Sequence, residues 1–465
     1  MIFLSLPFLS VGLCLLLFGA LVLPFLKRPA VARGIALCAA GLSGVSFLMA
    51  TREVLAISQG ECYDGWLNWL KADGLGAVGM SFYGALACAG IALAPRRDAT
   101  RGHLSGILLI TFATQMTYGA ANLNALTAGW WLTSLPFLLG CFGKDRRLGV
   151  AEIFLLLSCV CLTAAVAILH VHGTDHLSDA GRLTLAFLIG AVVLRKGLFP
   201  LHSWVITEFE HGALLPTALI FNGHLGALLI CRISTSALPH YATQALTLLG
   251  DLGLVTALIA SIRCFSERKP RRLLALLCVS QAAFILGGLA TSNIEGITGA
   301  LIHWLVVSAA STGLIAIVRC LEVRVADARD PRENLGLAVK TPRLATFFLL
   351  CGLALIGLPG TLAYCAEDLL FQGALQSHPF LGLALPIATA FNGIHLVRLF
   401  GILFLGVLPK NVIDVRDALP RERWPLAACV VFLIFGGVFP SKILLWRADA
   451  AAAIDKAFRG KEAHH

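Results

Sequence analysis

Apolar runs about twenty residues long return along almost the whole of this chain, at 2–26, 31–50, 74–94, 103–123, 125–143, 149–170, 183–199, 214–235, 244–263, 273–292, 296–318, 344–376, 381–408 and 425–446. Twenty residues of α-helix rise about 30 Å, the thickness of a bilayer's hydrocarbon core. Lipid offers backbone N–H and C=O groups no partner, so runs of this length pair their polar backbone internally as helices. The sequence therefore predicts an all-α polytopic membrane protein of about fourteen transmembrane helices. The composition agrees: 58% of residues are hydrophobic and 13% charged, where soluble domains carry roughly 25% charged residues. No polar stretch between the runs is long enough to fold as a soluble catalytic domain.

The net charge of +10 does not point to nucleic acid, because the basic residues stand in short clusters between apolar runs and not along a helical stripe. With the N-terminus outside, Lys27/Arg28/Arg33, Arg96/Arg97/Arg101, Lys144/Arg146/Arg147, Arg263 to Arg272, Arg319 to Lys340 and Lys410/Arg416/Arg421/Arg423 fall mostly in cytoplasmic loops. The loops at 236–243, 292–295 and 377–380 carry no Lys or Arg, so the bias orients the chain with a periplasmic N-terminus in a bacterial cytoplasmic membrane. The first run lacks a basic leader and a small-residue cleavage site, and it reads as a retained helix. Residues 1–446 form one transmembrane domain, and 447–465 a polar C-terminal tail that either lies along the membrane or marks a miscounted helix. The fourteen cysteines are scattered through apolar segments without metal-ligand spacing and read as small buried hydrophobes. No nucleotide, cluster or haem motif is present, so no cofactor and no metal are expected.

Two runs are interrupted in the same way. Phe199-Pro200-Leu201-His202-Ser203-Trp204 divides the first, and Gly357-Leu358-Pro359-Gly360-Thr361 the second. Pro200, Pro359 and Gly360 free backbone groups that lipid cannot satisfy, so such breaks persist only where protein or a wet cavity covers them. Paired broken helices point to an ion or substrate path.

Ionisable groups within membrane spans are costly enough to need a reason. Here they are Arg195, Lys196, His202 and His224 around the first break, Asp251 within 244–263, His303 within 296–318, Glu367 and Asp368 beyond the second break, and His395 with Arg398 within 381–408. Acids, bases and imidazoles each hold a proton transiently, so these groups can line a proton relay. The plainer readings are snorkelling for Arg195 and Lys196, loop positions for Glu208, Glu210 and His211, an interhelical hydrogen bond for His224, and a half-helix cap for Asp368.

The run Arg195-Lys196-Gly197-Leu198-Phe199-Pro200-Leu201-His202-Ser203-Trp204, followed by Leu215-Pro216-Thr217-Ala218-Leu219-Ile220, resembles a signature segment of the proton-conducting antiporter-like membrane subunits. These are the NuoL, NuoM and NuoN subunits of respiratory complex I and their relatives in Mrp antiporters, membrane-bound hydrogenases and DAB inorganic-carbon complexes. Gly357-Leu358-Pro359-Gly360-Thr361 with Glu367 downstream resembles the NuoM type. Weaker matches are Asp73-Gly74-Leu75, Ser280-Gln281, His303 and Pro440-Ser441, in family order.

The resemblance implies fourteen helices with two inverted five-helix repeats, approximately 103–235 and 244–408, each with a broken helix, around a hydrated axis. It places Arg195, with Lys196 beside it, at the lysine of the first broken helix, and Glu367 at the terminal ionisable residue of the second. The chain departs from the pattern where Trp131 stands for a glutamate, Ser311 for the central lysine, and Phe221 near a histidine that His224 follows by a turn. The implied function is a proton-translocating subunit of a larger energy-coupled complex, with other membrane subunits, the bilayer and protons as partners. The alternatives are the membrane subunit of a DAB-type CO2/bicarbonate uptake complex, with a soluble enzyme subunit as partner, and a scaffold that no longer conducts.

Overall fold

The structure is a computed structural model and describes residues 8–56, 63–64, 69–142, 149–235, 238–325, 334–408 and 415–459. The loop cations Lys144, Arg146, Arg147 and Lys410, the start of the first run and the end of the tail lie outside the described residues. Each of the fourteen apolar runs holds at least one helix. The chain gathers into two compact units, residues 1–91 with 98–191, and 92–97 with 192–465.

The first unit contains α1 (Phe8–Val22), α2 (Pro29–Ala56), a two-residue antiparallel hairpin of β1 (Tyr63–Asp64) and β2 (Lys71–Ala72), and most of α3 (Gly74–Leu93). It continues with α4 (Arg101–Tyr118), α5 (Leu123–Leu138), α6 (Val150–His172) and the start of α7 (Asp179–Lys196). Apolar side chains gain little from leaving lipid for protein, so packing and interhelical hydrogen bonds hold such helices together. Ser43, Ser46 and Ser105 donate to the carbonyls of Gly12, Phe8 and Ala20 at 2.8, 2.6 and 2.7 Å, which ties α2 and α4 to α1. Thr100 and Asn122 cap α4 and α5 by accepting from the N–H groups of His103 and Ala125, satisfying donors that a helix start leaves free.

The second unit holds the end of α7, then α8 (Ser203–His211), α9 (Leu214–Asn222), α10 (Leu225–Thr235), α11 (Pro239–Arg263), α12 (Pro270–Ala290) and α13 (Ile294–Arg324). After these come α14 (Pro342–Leu355), α15 (Leu362–Ser377), α16 (Pro379–Phe404), α17 (Pro420–Val438) and α18 (Ser441–Arg459). From Gly296 to Val318 the 31-residue α13 carries no Asp, Glu, Lys or Arg and is buried at every position, as a helix of that pattern must be. It packs against α9, α12, α14, α15, α17 and α18. By length and composition, nine helices among the described residues are able to cross a membrane, or ten if α17 and α18, bent by 83°, count as one span. The shortfall from fourteen arises partly because α5 and α14 have 16 and 14 residues and partly because the 18-residue α7 carries Asp179, Arg182, Arg195 and Lys196. The described part of the tail is not free chain: it belongs to α18, which packs on α13 and α10.

Both predicted breaks are built by one backbone device. Gly197 and Gly357 have φ of +65° and +72°, a left-handed conformation that glycine alone adopts without penalty. The next N–H groups, of Leu198 and Leu358, reach back to the carbonyls of Val193 and Leu353 at 3.1 and 3.0 Å. This is the glycine stop that satisfies a helix's last carbonyls, and Leu201 and Thr361 then close a turn onto Leu198 and Leu358. A third break, absent from the sequence expectation, divides 214–235 at Gly223-His224, with His224 itself at φ +42°.

Arginines close the helix ends on one side. Arg271 donates to the carbonyls of Phe209, Glu210 and Gly212 at the end of α8 and binds Glu322 through two nitrogens at 2.7 and 2.6 Å. Arg398 donates to the carbonyls of Cys264, Phe265 and Glu267 beyond α11.

Candidate functional site

The last turn of α7 carries Arg195 and Lys196 into the interior, where they are 4% and 5% exposed. Snorkelling is thereby excluded for both, since a snorkelling head stays wet. Lys196 Nζ lies 3.1 Å from Nδ1 of His224 and donates to the carbonyl of Ala282 on α12 at 3.2 Å. Gly226 makes room for it: a Cβ at that position would stand 2.7 Å from Cγ of Lys196. The break at His224 explains how the ring gets there, because its left-handed backbone turns the side chain off the run of α9. A non-glycine residue in that region stores strain, which recurs at functional sites.

His224 packs edge-on to Trp304, with ring centroids 5.7 Å apart. Immediately before Trp304 on α13, His303 donates from Nε2 to the carbonyl of Gln281 at 3.0 Å; Lys196, His224 and His303 lie within electrostatic reach of one another. His395 on α16 repeats the pattern, with Nε2 donating to the carbonyl of Ser261 at 2.8 Å. Asn392, one turn before it, donates to Ser280, which donates to the carbonyl of Ala257.

Each of the three imidazoles, and Asn392, has one polar atom anchored by protein and another that is not. Among the described residues, His224 Nε2, His303 Nδ1, His395 Nδ1, Asn392 Oδ1, both polar atoms of the Gln281 amide and Glu367 Oε1 are buried and meet no protein hydrogen-bond partner. Glu367 stands in the second turn of α15, its carboxyl facing the break: a Cβ on Gly357 would lie 2.4 Å from its Oε2. No hydrogen bond among the described residues joins Glu367 to the other groups. It is nevertheless close to the α13 contact, because Ala366 O abuts Gly299, one turn before His303.

Where the sequence resemblance expects a central lysine, Ser311 donates to Asn222 Oδ1 at 3.0 Å. Asn222 Nδ2 donates to Thr312 Oγ1 and the Ser308 carbonyl at 3.0 and 3.3 Å, and Ser308 donates back to the Asn222 carbonyl at 3.1 Å. A neutral amide and three hydroxyls therefore fill this place. In the first unit, Trp131 Nε1 donates to Thr163 at 2.9 Å, a neutral contact where a glutamate was expected.

Three of the sequence candidates lie apart from this buried set. Asp251 has a side chain 59% exposed, 3.2 Å from His378 Nε2. Asp368 is exposed and accepts from Gln372 at 2.8 Å. His202 is buried, but its Nε2 faces Arg263 Nη1 at 2.9 Å. Glu210 belongs to a surface ion cluster, 2.5 Å from Lys269 and 2.9 Å from Arg272. Asn222 and Asn392 were missed, being neutral groups inside apolar runs, although Asn222-Gly223 is a recognisable helix-interrupting pair.

A family described as NADH:quinone oxidoreductase/Mrp antiporter, TM, matches residues 104–392. NADH-quinone oxidoreductase subunit M of Rickettsia bellii (strain RML369-C) is 22% identical over 333 residues, 67% of this chain and 67% of that protein. The chloroplastic NAD(P)H-quinone oxidoreductase chain 4 of Cryptomeria japonica is 27% identical over 296 residues, 59% of this chain. There the chain spans only 57% of the relative's length. A chain of the solved respiratory complex I from Thermus thermophilus with bound NADH superposes with a TM-score of 0.84 at 22% identity, covering 97% of this chain and 99% of that one. At that identity the likeness establishes the fold.

Proposed function

Because this chain belongs to the NADH:quinone oxidoreductase/Mrp antiporter transmembrane family, we propose that it is a proton-translocating membrane subunit of a larger energy-coupled complex. Lys196, His224, His303 and Glu367 hold the protons in transit, and other membrane subunits of the complex supply the coupling. Charge bias supports a bacterial cytoplasmic membrane with the N-terminus on the periplasmic side, and the shared glycine stop of the two breaks supports the reading of two repeats.

One observation carries the reading: of the sixteen buried side-chain polar atoms without a protein hydrogen-bond partner among the described residues, seven belong to His224, Gln281, His303, Glu367, Asn392 and His395. A buried polar atom left unpaired costs about 1–3 kcal/mol, so seven left dry would cost roughly 7–20 kcal/mol, as much as the net stability of a typical domain. Water relieves that cost, since polar cavities hold ordered water that bridges such groups. The anchored-and-open pairing of each imidazole then becomes a relay. The ammonium of Lys196 gives its proton to Nδ1 of His224, and the ring releases the proton on Nε2 to water on its far side, so charge moves one residue onward and the ring, neutral again, is left as its other tautomer. Gln281 orients water between that ring and Nδ1 of His303, and Glu367 takes up or delivers the proton at the second break. The Asn222–Ser308–Ser311–Thr312 network offers water polar contacts but holds no charge, which leaves Lys196 as the amine of this set.

The test is proton flux in proteoliposomes holding the assembled complex, read with an entrapped pH dye. Glu367→Gln and Lys196→Ala are expected to slow flux about tenfold for each 1.4 kcal/mol added to the barrier, with assembly unchanged by size-exclusion elution. Normal flux in both variants would overturn the relay and leave a scaffold role.

A further inference from the structure

Beyond the relay, the second unit carries a strongly basic cavity. The segment after α3, the end of α13 and the start of α17 with the residues just before it border an open cavity of about 760 Å³ lined by Arg96, Arg97, Arg324, Arg416, Arg421 and Glu422. The single carboxylate is already engaged, since Glu422 accepts from Arg324 Nη2 at 2.5 Å and from the Leu419 N–H at 2.9 Å. Among the described residues no carboxylate lies within salt-bridge distance of Arg96, Arg97 or Arg416, and Arg421 only reaches 3.9 Å from Glu422. Guanidinium groups converging on one space match phosphate oxygens in geometry and charge. The 19-residue α17 also begins here, at Pro420, and adds the positive end of its dipole.

The cavity lies where apolar helix gives way to charge on all three segments. α13 is apolar up to Val318 and then carries Arg319, Glu322 and Arg324; α3 ends at Leu93 just before Pro95-Arg96-Arg97; α17 opens Pro420-Arg421-Glu422-Arg423-Trp424 before its apolar stretch. Such a level is that of lipid headgroups, and Trp424, 78% exposed, is the residue type that settles there. Pro420 also borders a second, mostly apolar groove of about 360 Å³ lined by Phe347, Trp424 and Ala427 together with Arg343 and Arg423.

We propose that this pair of cavities binds an anionic phospholipid, its phosphate among Arg96, Arg97, Arg416 and Arg421 and an acyl chain along Phe347 and Trp424. The adjoining apolar groove favours a lipid over a free phosphate ion, and basic pockets between membrane helices take such headgroups.

The test uses the full chain in bilayer nanodiscs of phosphatidylcholine doped with phosphatidylglycerol, one or the other carrying brominated chains. The chain has eight tryptophans, so the Trp424 signal is the difference between the native protein and Trp424→Phe. Brominated phosphatidylglycerol is expected to quench Trp424 at lower mole fraction than brominated phosphatidylcholine. Arg96→Gln, Arg97→Gln and Arg416→Gln alter exposed side chains and should each weaken the preference about fivefold, with circular dichroism unchanged. Millimolar inorganic phosphate should leave the preference intact; its abolition would make the ligand a free ion and overturn the lipid assignment. Equal quenching by both lipids, or a preference that survives the triple Arg→Gln variant, overturns the proposal and leaves an acidic segment of a neighbouring subunit as the occupant.

Discussion

The carboxyl of Glu367 keeps its place because residue 357 has no side chain. Gly357 holds φ at +72° with the carboxylate 2.4 Å from where a Cβ would stand, so Gly357→Ala meets two penalties, a left-handed alanine costing about 1–2 kcal/mol and displacement of the acid. The expected outcome is a lower melting temperature in detergent together with the flux defect of Glu367→Gln. A melting shift with normal flux would show that the carboxyl need not face the break. Gly226 gives the matching case at the first break, since a Cβ there collides with the stem of Lys196. Gly226→Val is expected to separate Lys196 from His224 and reproduce Lys196→Ala, whereas Gly197→Ala, strained by its φ of +65°, should mainly destabilise. Lys196, His224, His303 and Glu367 were legible from sequence because charge or imidazole inside an apolar run has a single plain signature. Asn222 and Asn392 were not, because a neutral amide in such a run is as easily an interhelical hydrogen bond.

Helix α13 and helix α15 touch backbone to backbone. A Cβ on Gly299 would lie 2.8 Å from the Leu370 nitrogen and 2.9 Å from the Ala366 oxygen, and one on Gly373 would lie 2.6 Å from Gly296 Cα. These two contacts run in opposite order along the two helices, so the pair is antiparallel, and the crossing fixes the distance between His303 and the start of α15. Gly299→Leu is expected to cost about 1–3 kcal/mol through overpacking and to lower the unfolding temperature measured by tryptophan fluorescence. At the surface, the hydrogen bond from Lys269, followed by Arg272, holds the Glu210 carboxyl below its ordinary range. A depressed acid contributes stability above its unfolded value, about 4.3, and loses it as pH falls through its folded value. Glu210→Gln should therefore destabilise at pH 7 by about 1–2 kcal/mol, discounted for the exposed Lys269. The melting temperatures should converge as pH falls through that depressed folded value; a difference that persists in stronger acid would mean the pair acts through packing. The elements themselves were legible in the sequence because length and apolarity fix a span, and Gly-Leu-Pro marks a stop. The division of 214–235 was not, because nothing apolar changes there; only Asn222-Gly223 and a strained His224 mark it.

At the scale of the whole molecule, the transport reading requires that the interior of the second unit be wet along one line and dry elsewhere. Trp304 is 6% exposed and packs on His224, and Phe284 is 0% exposed beside His303; both should be bathed by the waters that serve Gln281 and the imidazoles. Phe348 and Phe404, packed on one another between α14 and α16 and 0% and 1% exposed, have no orphaned polar atom as a neighbour in that contact. Burial alone does not separate the two pairs, so an experiment that sees water does. Hydroxyl radicals generated in place by X-ray radiolysis should oxidise Trp304 and Phe284 in the intact protein in nanodiscs, and spare Phe348 and Phe404. Gln281→Leu, which removes both open atoms of the amide, should lower the yield at Trp304 without unfolding the protein, because an apolar replacement of similar size costs no buried hydrogen bond. If Trp304 is labelled no more than Phe348, the line is dry; the proton-holding groups are then isolated by hydrocarbon, and the chain does not conduct through them.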